Sequence, residues 1–134
     1  MAGRGHRDIF AQDVEWNRGT GDGIQYARYL MDEDDTTSPL IILTKFAPGE
    51  VVDPHTHGTN YFEYVIDGEQ TVGKTKFGKG DIRFAKAGTG YGPITLGQEG
   101  CTVVIVFQDA TGANTIPLGM AKALALADAL AAAG

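Results

Sequence analysis

Residues 49–68 read GEVVDPHTHGTNYFEYVIDG, and this stretch decides the fold. His55 and His57 stand two apart, so on a β-strand both imidazoles fall on one face. Glu63 follows, inside an apolar run rich in strand-forming residues, and Asp67-Gly68 then gives the turn signal of a hairpin that needs positive φ. Two same-face imidazoles with a carboxylate nearby is how a β-rich chain builds a site for a first-row metal. The chain has three histidines; the remaining one, His6, lies apart in a polar, glycine-rich N-terminal stretch.

Outward from this stretch the texture stays β. IQYARYL (24–30) alternates, the acidic tract MDEDDTTSP (31–39) is a solvated loop, and PLIILTKFA (39–47) reads as a strand buried on both faces. VVDPHTH, YFEYVI, EQTVGKTKF, DIRFAKA and CTVVIVFQ are further strands, and glycines at 78, 80, 88, 90 and 92 punctuate the second half. About eight short strands with frequent glycine turns predict an all-β antiparallel sandwich or barrel. The tail MAKALALADALAAA is made of strong helix formers and predicts a C-terminal α-helix over 118–132. No repeat or linker divides the chain. One domain is expected over 1–134, with a core at about 24–108 and an N-terminal arm at 1–23.

The 134 residues are enough for a real core, and 43% hydrophobic content argues for a globular fold. A net charge of −6 and a pI of 4.9 disfavour nucleic acid and anionic membrane as partners. A single cysteine, Cys101, forbids an intrachain disulfide; set in CTVVIVF, it reads as a small buried hydrophobe. The N-terminus lacks the apolar stretch of a signal peptide, and no window reaches the roughly 18 apolar residues of a spanning helix. A cytoplasmic protein is expected. The GTGDG at 19–23 is no phosphate loop, having neither the lysine nor the strand–loop–helix setting.

Taken together, the motifs resemble those of the cupin superfamily over roughly residues 40–107. The family's first motif is a glycine, five residues, His-x-His, a short spacer, Glu, six residues and Gly. Gly49 and His55-Thr56-His57 fit it, as does the strand and turn Tyr64-Val65-Ile66-Asp67-Gly68. The second motif matches in frame from Gly80-Asp81 to Lys86-Ala87-Gly88-Thr89-Gly90-Tyr91. The resemblance implies a jelly-roll β-barrel. Two departures stand out. Tyr61 occupies the usual glutamate position, and Tyr91, in a Tyr-Gly-Pro segment, occupies the usual second histidine position; Lys86 stands where the family has proline. Only His55 and His57 carry over directly. Glu63 shares the strand face of Tyr61, about 6.5–7 Å further along, and is the candidate third ligand; the plainer reading is a carboxylate paired with a nearby Lys or Arg, or hydrogen-bonded to Tyr91.

The resemblance implies one divalent transition metal, Fe, Mn, Zn, Ni or Co, held by His55, His57 and Glu63. Tyr61 and Tyr91 are then the candidate catalytic groups, orienting a small-molecule substrate or passing a proton. Tyr91 has two other readings, as a phenolate ligand or as packing. The leading expectation is a dioxygenase-type oxidoreductase. The alternatives are an isomerase, lyase or cyclase on the same metal, a metal-free binding or sensor module, and a metal-free epimerase with His57 as base and Tyr91 as acid. Arg83 is a candidate for holding an anionic substrate, with a salt bridge as the plainer reading. Trp16, Tyr26 and Phe62 line a pocket or fill the core. A homodimer is expected.

Overall fold

The computed structural model describes residues 5–19 and 23–118. Ten strands follow in chain order: β1 Asn17–Arg18, β2 Ile24–Leu30, β3 Leu40–Phe46, β4 Val51–Val52, β5 His55–Thr56, β6 Tyr61–Val72, β7 Thr75–Gly78, β8 Ile82–Ala85, β9 Ile94–Phe107 and β10 Ile116–Pro117. Short 3₁₀ turns lie at Ala11–Asp13 and Ala110–Gly112. All pairings are antiparallel, in one eight-stranded sheet ordered β1-β2-β3-β9-β6-β7, with β4 on β9 and β8 on β6, and a two-stranded sheet of β5 and β10. The fold is the all-β jelly roll expected from the sequence.

Register explains which side chains meet. One row across five strands runs Arg28–Ile42–Ile105–Glu63–Arg83, and the row beside it Leu30–Leu40–Phe107–Tyr61–Ala85. These positions face the barrel interior, because Leu40, Tyr61, Glu63 and Phe107 are all buried. The period of two sends the alternate residues to the other face: Tyr29–Ile41–Val106–Phe62–Phe84 and Leu43–Val104–Tyr64–Ile82, with Ala27, the partner of Leu43, buried. The interior apolar groups form two clusters, one around Val65, Ile94, Leu96, Cys101 and Val103, the other around Leu40, Tyr61, Phe107 and Ala113. Tyr91 packs against both.

Three local expectations differ from the structure. Asp67-Gly68 is not a hairpin turn. β6 runs straight through it, and the register against β9 shifts between Val65 and Asp67 and again between Gly68 and Gln70. Gly68 takes φ 76° and lies against the Gly100 backbone, so the positive φ that the sequence signalled serves a bulge. The hairpin turn is Gly73-Lys74, with Gly73 at φ 60° between paired Val72 and Thr75. Asp53-Pro54 splits the expected strand VVDPHTH into β4 and β5, and β9 begins at Ile94, well before Cys101. The helix expected over 118–132 lies, apart from Leu118, outside the described residues. Within the expected arm, β1 pairs with β2, and Arg7 reaches Glu33 at 2.9 Å and the Leu30 carbonyl at 2.7 Å. Among the described residues no helix is long and apolar enough to cross a membrane.

Candidate metal centre

Three side chains converge inside the barrel: His55, His57 and Tyr91. His55 and Tyr91 form an isolated antiparallel bridge, exchanging backbone bonds of 3.0 Å (His55 N–H to the Tyr91 carbonyl) and 3.1 Å (the reverse). Their side chains meet as well. The Tyr91 hydroxyl lies 2.5 Å from His55 Nε2 and 3.1 Å from His57 Nε2. Both histidines are buried, and their rings stand edge to face with centroids 5.1 Å apart.

Each ring is fixed from behind. His55 Nδ1 lies 2.8 Å from the Asp53 carbonyl, and His57 Nδ1 lies 2.9 Å from the Ala113 carbonyl. A carbonyl only accepts, so both Nδ1 atoms carry the proton and both Nε2 atoms present lone pairs. Such backbone bonds orient metal-ligating histidines. Burial pushes the His55 pKa below its ordinary value; the bond to Asp53 opposes this and Arg83 adds to it. For His57 burial again lowers the value, against the bond to Ala113 and reinforced by His55. Both rings are therefore neutral near pH 7, the form that binds metal. Burial, then Tyr61, pushes the Tyr91 pKa up.

The donor set can be tested for fit to a cation. One phenol proton can serve only one of the two Nε2 lone pairs, and the other nitrogen faces an oxygen lone pair. A divalent ion among these donors removes the conflict. Neutral imidazoles with an oxygen donor suit a borderline first-row ion. The residues present fit a metal on this ground.

Glu63 is placed differently from its expected role. Its carboxylate, on a side chain 4% exposed, lies 3.3 Å from Arg83 Nη2 and accepts a hydrogen bond from Gln70 Nε2. Among the described residues no three His, Cys, Asp or Glu side chains gather as a metal-holding group. The structure thus brings His55, His57 and Tyr91 together, and gives Glu63 to Arg83 and Gln70 in the adjoining wall. Burial alone would lower the Arg83 pKa, but the Glu63 carboxylate and Tyr61 outweigh it and hold the guanidinium above its usual value. The guanidinium also lies 4.4 Å from the Tyr91 ring centroid. Tyr61 packs on His57 and Phe107, with centroids 5.0 and 5.2 Å away, and its hydroxyl is 3.5 Å from Arg83 Nη1.

A cavity of about 290 Å³ opens beside the histidines. Ile24, Phe46, Ile94 and Ile105 line it together with His55, His57, Glu63 and Tyr91, and Arg28 and Asn114 are among its polar groups. Tyr26 lines it too, whereas Trp16 lies under Lys45, 4.1 Å from the ring centroid to Nζ. Cys101 is buried, as expected, and burial together with Glu63 pushes its thiol up to about 12. Sequence reasoning missed the Asp53 and Ala113 carbonyls, which no side-chain pattern signals.

Comparison with known proteins agrees with this fold. The family model described as ChrR cupin-like domain matches residues 6–111. No curated protein matches the chain. Among solved structures, a deletion mutant of Bacillus subtilis oxalate decarboxylase aligns at TM-score 0.66 and 20% identity, over 84% of this chain and 33% of that one. The chain therefore spans about a third of that enzyme. A structure of the same enzyme described for its Mn(II) centres aligns at TM-score 0.66 and 19% identity, over 84% and 34%. The polyketide cyclase RemF from Streptomyces resistomycificus aligns at TM-score 0.69 and 15% identity, over 84% of both chains. At these identities the likeness is one of fold.

Proposed function

The chain belongs to the ChrR cupin-like domain family, and from that premise we propose that it is a metal-dependent enzyme acting on a small, largely apolar organic molecule. His55 and His57 would hold one divalent transition metal through Nε2. The observation that carries this reading is the facing pair of Nε2 lone pairs, with both Nδ1 protons committed to the Asp53 and Ala113 carbonyls. When bound, the ion supplies Lewis-acid polarisation of a substrate oxygen.

The chain's own residues do the rest. The Asp53 and Ala113 carbonyls keep the rings from rotating. Tyr91 Oη, which lines the cavity and lies against both Nε2 atoms, is the ionisable oxygen that would touch substrate. Tyr61 stands behind His57 and positions it. The walls formed by Ile24, Phe46, Ile94 and Ile105 exclude water and suit a body of about one ring. A carbonyl or enol oxygen would face the histidines.

Acid–base chemistry, as in an isomerase, lyase or cyclase, is favoured because Tyr91 brings an ionisable oxygen to the site, while the imidazoles, with both nitrogens committed, would take no part in proton transfer. Two neighbours of like fold are a decarboxylase and a cyclase. The dioxygenase reading rests on the cupin resemblance and is separated by oxygen uptake.

The test is metal analysis of untagged protein incubated with Mn(II), Fe(II) or Zn(II) and desalted. Close to one ion per chain is expected, lost in His55→Ala and His57→Ala. A folded wild-type chain that retains none of these ions overturns the proposal. With metal bound, a panel of small ketones and phenols is expected to turn over without oxygen consumption; consumption assigns the dioxygenase reaction instead.

A further inference from the structure

We infer that the third protein donor to the metal is the Tyr91 hydroxyl oxygen and not the Glu63 carboxylate. This rests on the metal site proposed above and specifies its ligand set.

Two independent observations lead there. The first is position. Tyr91 Oη is the oxygen that lies against both Nε2 atoms, at 2.5 and 3.1 Å. It is held there by its backbone exchange with His55 and by packing against both core clusters. Three donors on one small volume, two of them locked from behind, already make a face for an ion.

The second is the state of the carboxylate. Glu63 is bonded on both sides, to Arg83 Nη2 and to Gln70 Nε2, in a wall where Gln70 is 1% exposed. Moving Glu63 onto a metal would leave the largely enclosed Arg83 guanidinium without its carboxylate, at an electrostatic cost. Glu63 and Arg83 cancel each other's charge, so the carboxylate is already spent. Between neutral imidazoles the ion's positive charge would be left uncompensated by the protein, and an anionic donor beside them would offset it. A phenolate is such a donor, with the phenol proton leaving to solvent. Arg83 serves twice in this arrangement: it withholds Glu63, and from 4.4 Å it presents a cation to the Tyr91 ring.

Copper(II) reads this out without any substrate. It heads the affinity order for such donors, and a phenolate bound to it gives a charge-transfer band and tyrosinate ring modes in resonance Raman spectra. One equivalent of copper(II) added to metal-free wild-type protein is expected to produce both. Tyr91→Phe is expected to lose both and to bind metal at least tenfold more weakly, while Tyr61→Phe and Glu63→Gln keep them. The wild-type spectrum stands alone if a variant fails to fold. Copper bound with no tyrosinate signature overturns the inference and leaves the two-histidine site standing. A signature that survives in Tyr91→Phe, or copper lost from folded Glu63→Gln, also overturns it. Failure to bind copper, manganese, iron or zinc at all overturns the function proposed above and this ligand set with it.

Discussion

His55 and Tyr91 are bonded twice over: their backbones exchange both hydrogen bonds, and their side chains meet at 2.5 Å. The backbone pair fixes where the side chains start, so the hydroxyl is delivered to the imidazole without relying on loop geometry. In metal-free protein Tyr91→Phe removes the one proton offered to the two buried Nε2 atoms, so the acceptor it serves loses its partner. A loss of about 1–3 kcal/mol is expected, read as a lower urea midpoint with unchanged slope. An unchanged midpoint would show that the hydroxyl contributes nothing to the fold.

The Glu63–Arg83 pair gives a second prediction. With side chains 4% and 13% exposed, the pair is little screened by solvent. Arg83→Met strands a buried carboxylate and is expected to cost about 3–5 kcal/mol, as is Glu63→Leu for the guanidinium. The double variant should cost much less than the sum of the two. Additivity in denaturant titrations would mean that the pair is not coupled.

Two glycines separate backbone strain from steric clash. Gly68 and Gly80 take φ 76° and 90°; a Cβ at Gly80 meets nothing within 4 Å, whereas at Gly68 it meets the Gly100 carbonyl. Gly80→Ala is expected to cost about 1–2 kcal/mol, from φ alone. Gly68→Ala adds a backbone collision and is expected to cost well beyond that. Equal melting shifts for the two would remove the bulge argument.

The histidines set a pH dependence. Both are held below the ordinary 6.5 by burial, so the unfolded chain takes up protons first as pH falls. Stability of metal-free protein is therefore full above about pH 6.5 and is lost as pH drops through the folded values. Replacing both histidines with glutamine should flatten this part of the stability–pH curve; an unaltered slope would place the titration elsewhere.

The homodimer expected from the sequence remains our proposal, and the outer sheet face gives it a place. The rows Ile41–Val106–Phe62–Phe84 and Leu43–Val104–Tyr64–Ile82 carry no charge, and Phe84, Ile82 and Tyr64 are 74%, 47% and 42% exposed. Copies with a net charge of −6 meet with least repulsion through such a face. Light scattering is expected to give twice the 14.2 kDa chain mass, and Phe84→Glu half of that with metal content unchanged. A monomeric wild-type protein would exclude the dimer.

Much of the fold was legible because alternation, β-branched runs and glycine spacing carry it. The two histidines were legible for the same reason, since their spacing fixes a shared face. Asp67-Gly68 misled because a hairpin turn and a bulge demand the same positive φ, and the choice rests on how β9 pairs alongside. Glu63 was correctly placed on the inner face by parity, but parity does not show that Arg83 sits opposite it in the next strand. Tyr91 was found from motif frame; its closeness to both rings comes from a bridge between residues 36 apart. The Ala113 carbonyl belongs to backbone, where residue identity carries no signal.

The bond from His57 to that carbonyl spans 56 residues, and β10 then closes against β5. On a ribosome, the first histidine and its tyrosine partner emerge well before the segment that steadies the second ring. A nascent chain halted before Ala113 would lack the Nδ1 partner of His57 and leave that ring to its contacts with Tyr61, Tyr91 and Phe107. On the metal site proposed above, acquisition of the ion would fall late in synthesis, and a chain cut short there would lack a finished place to hold it.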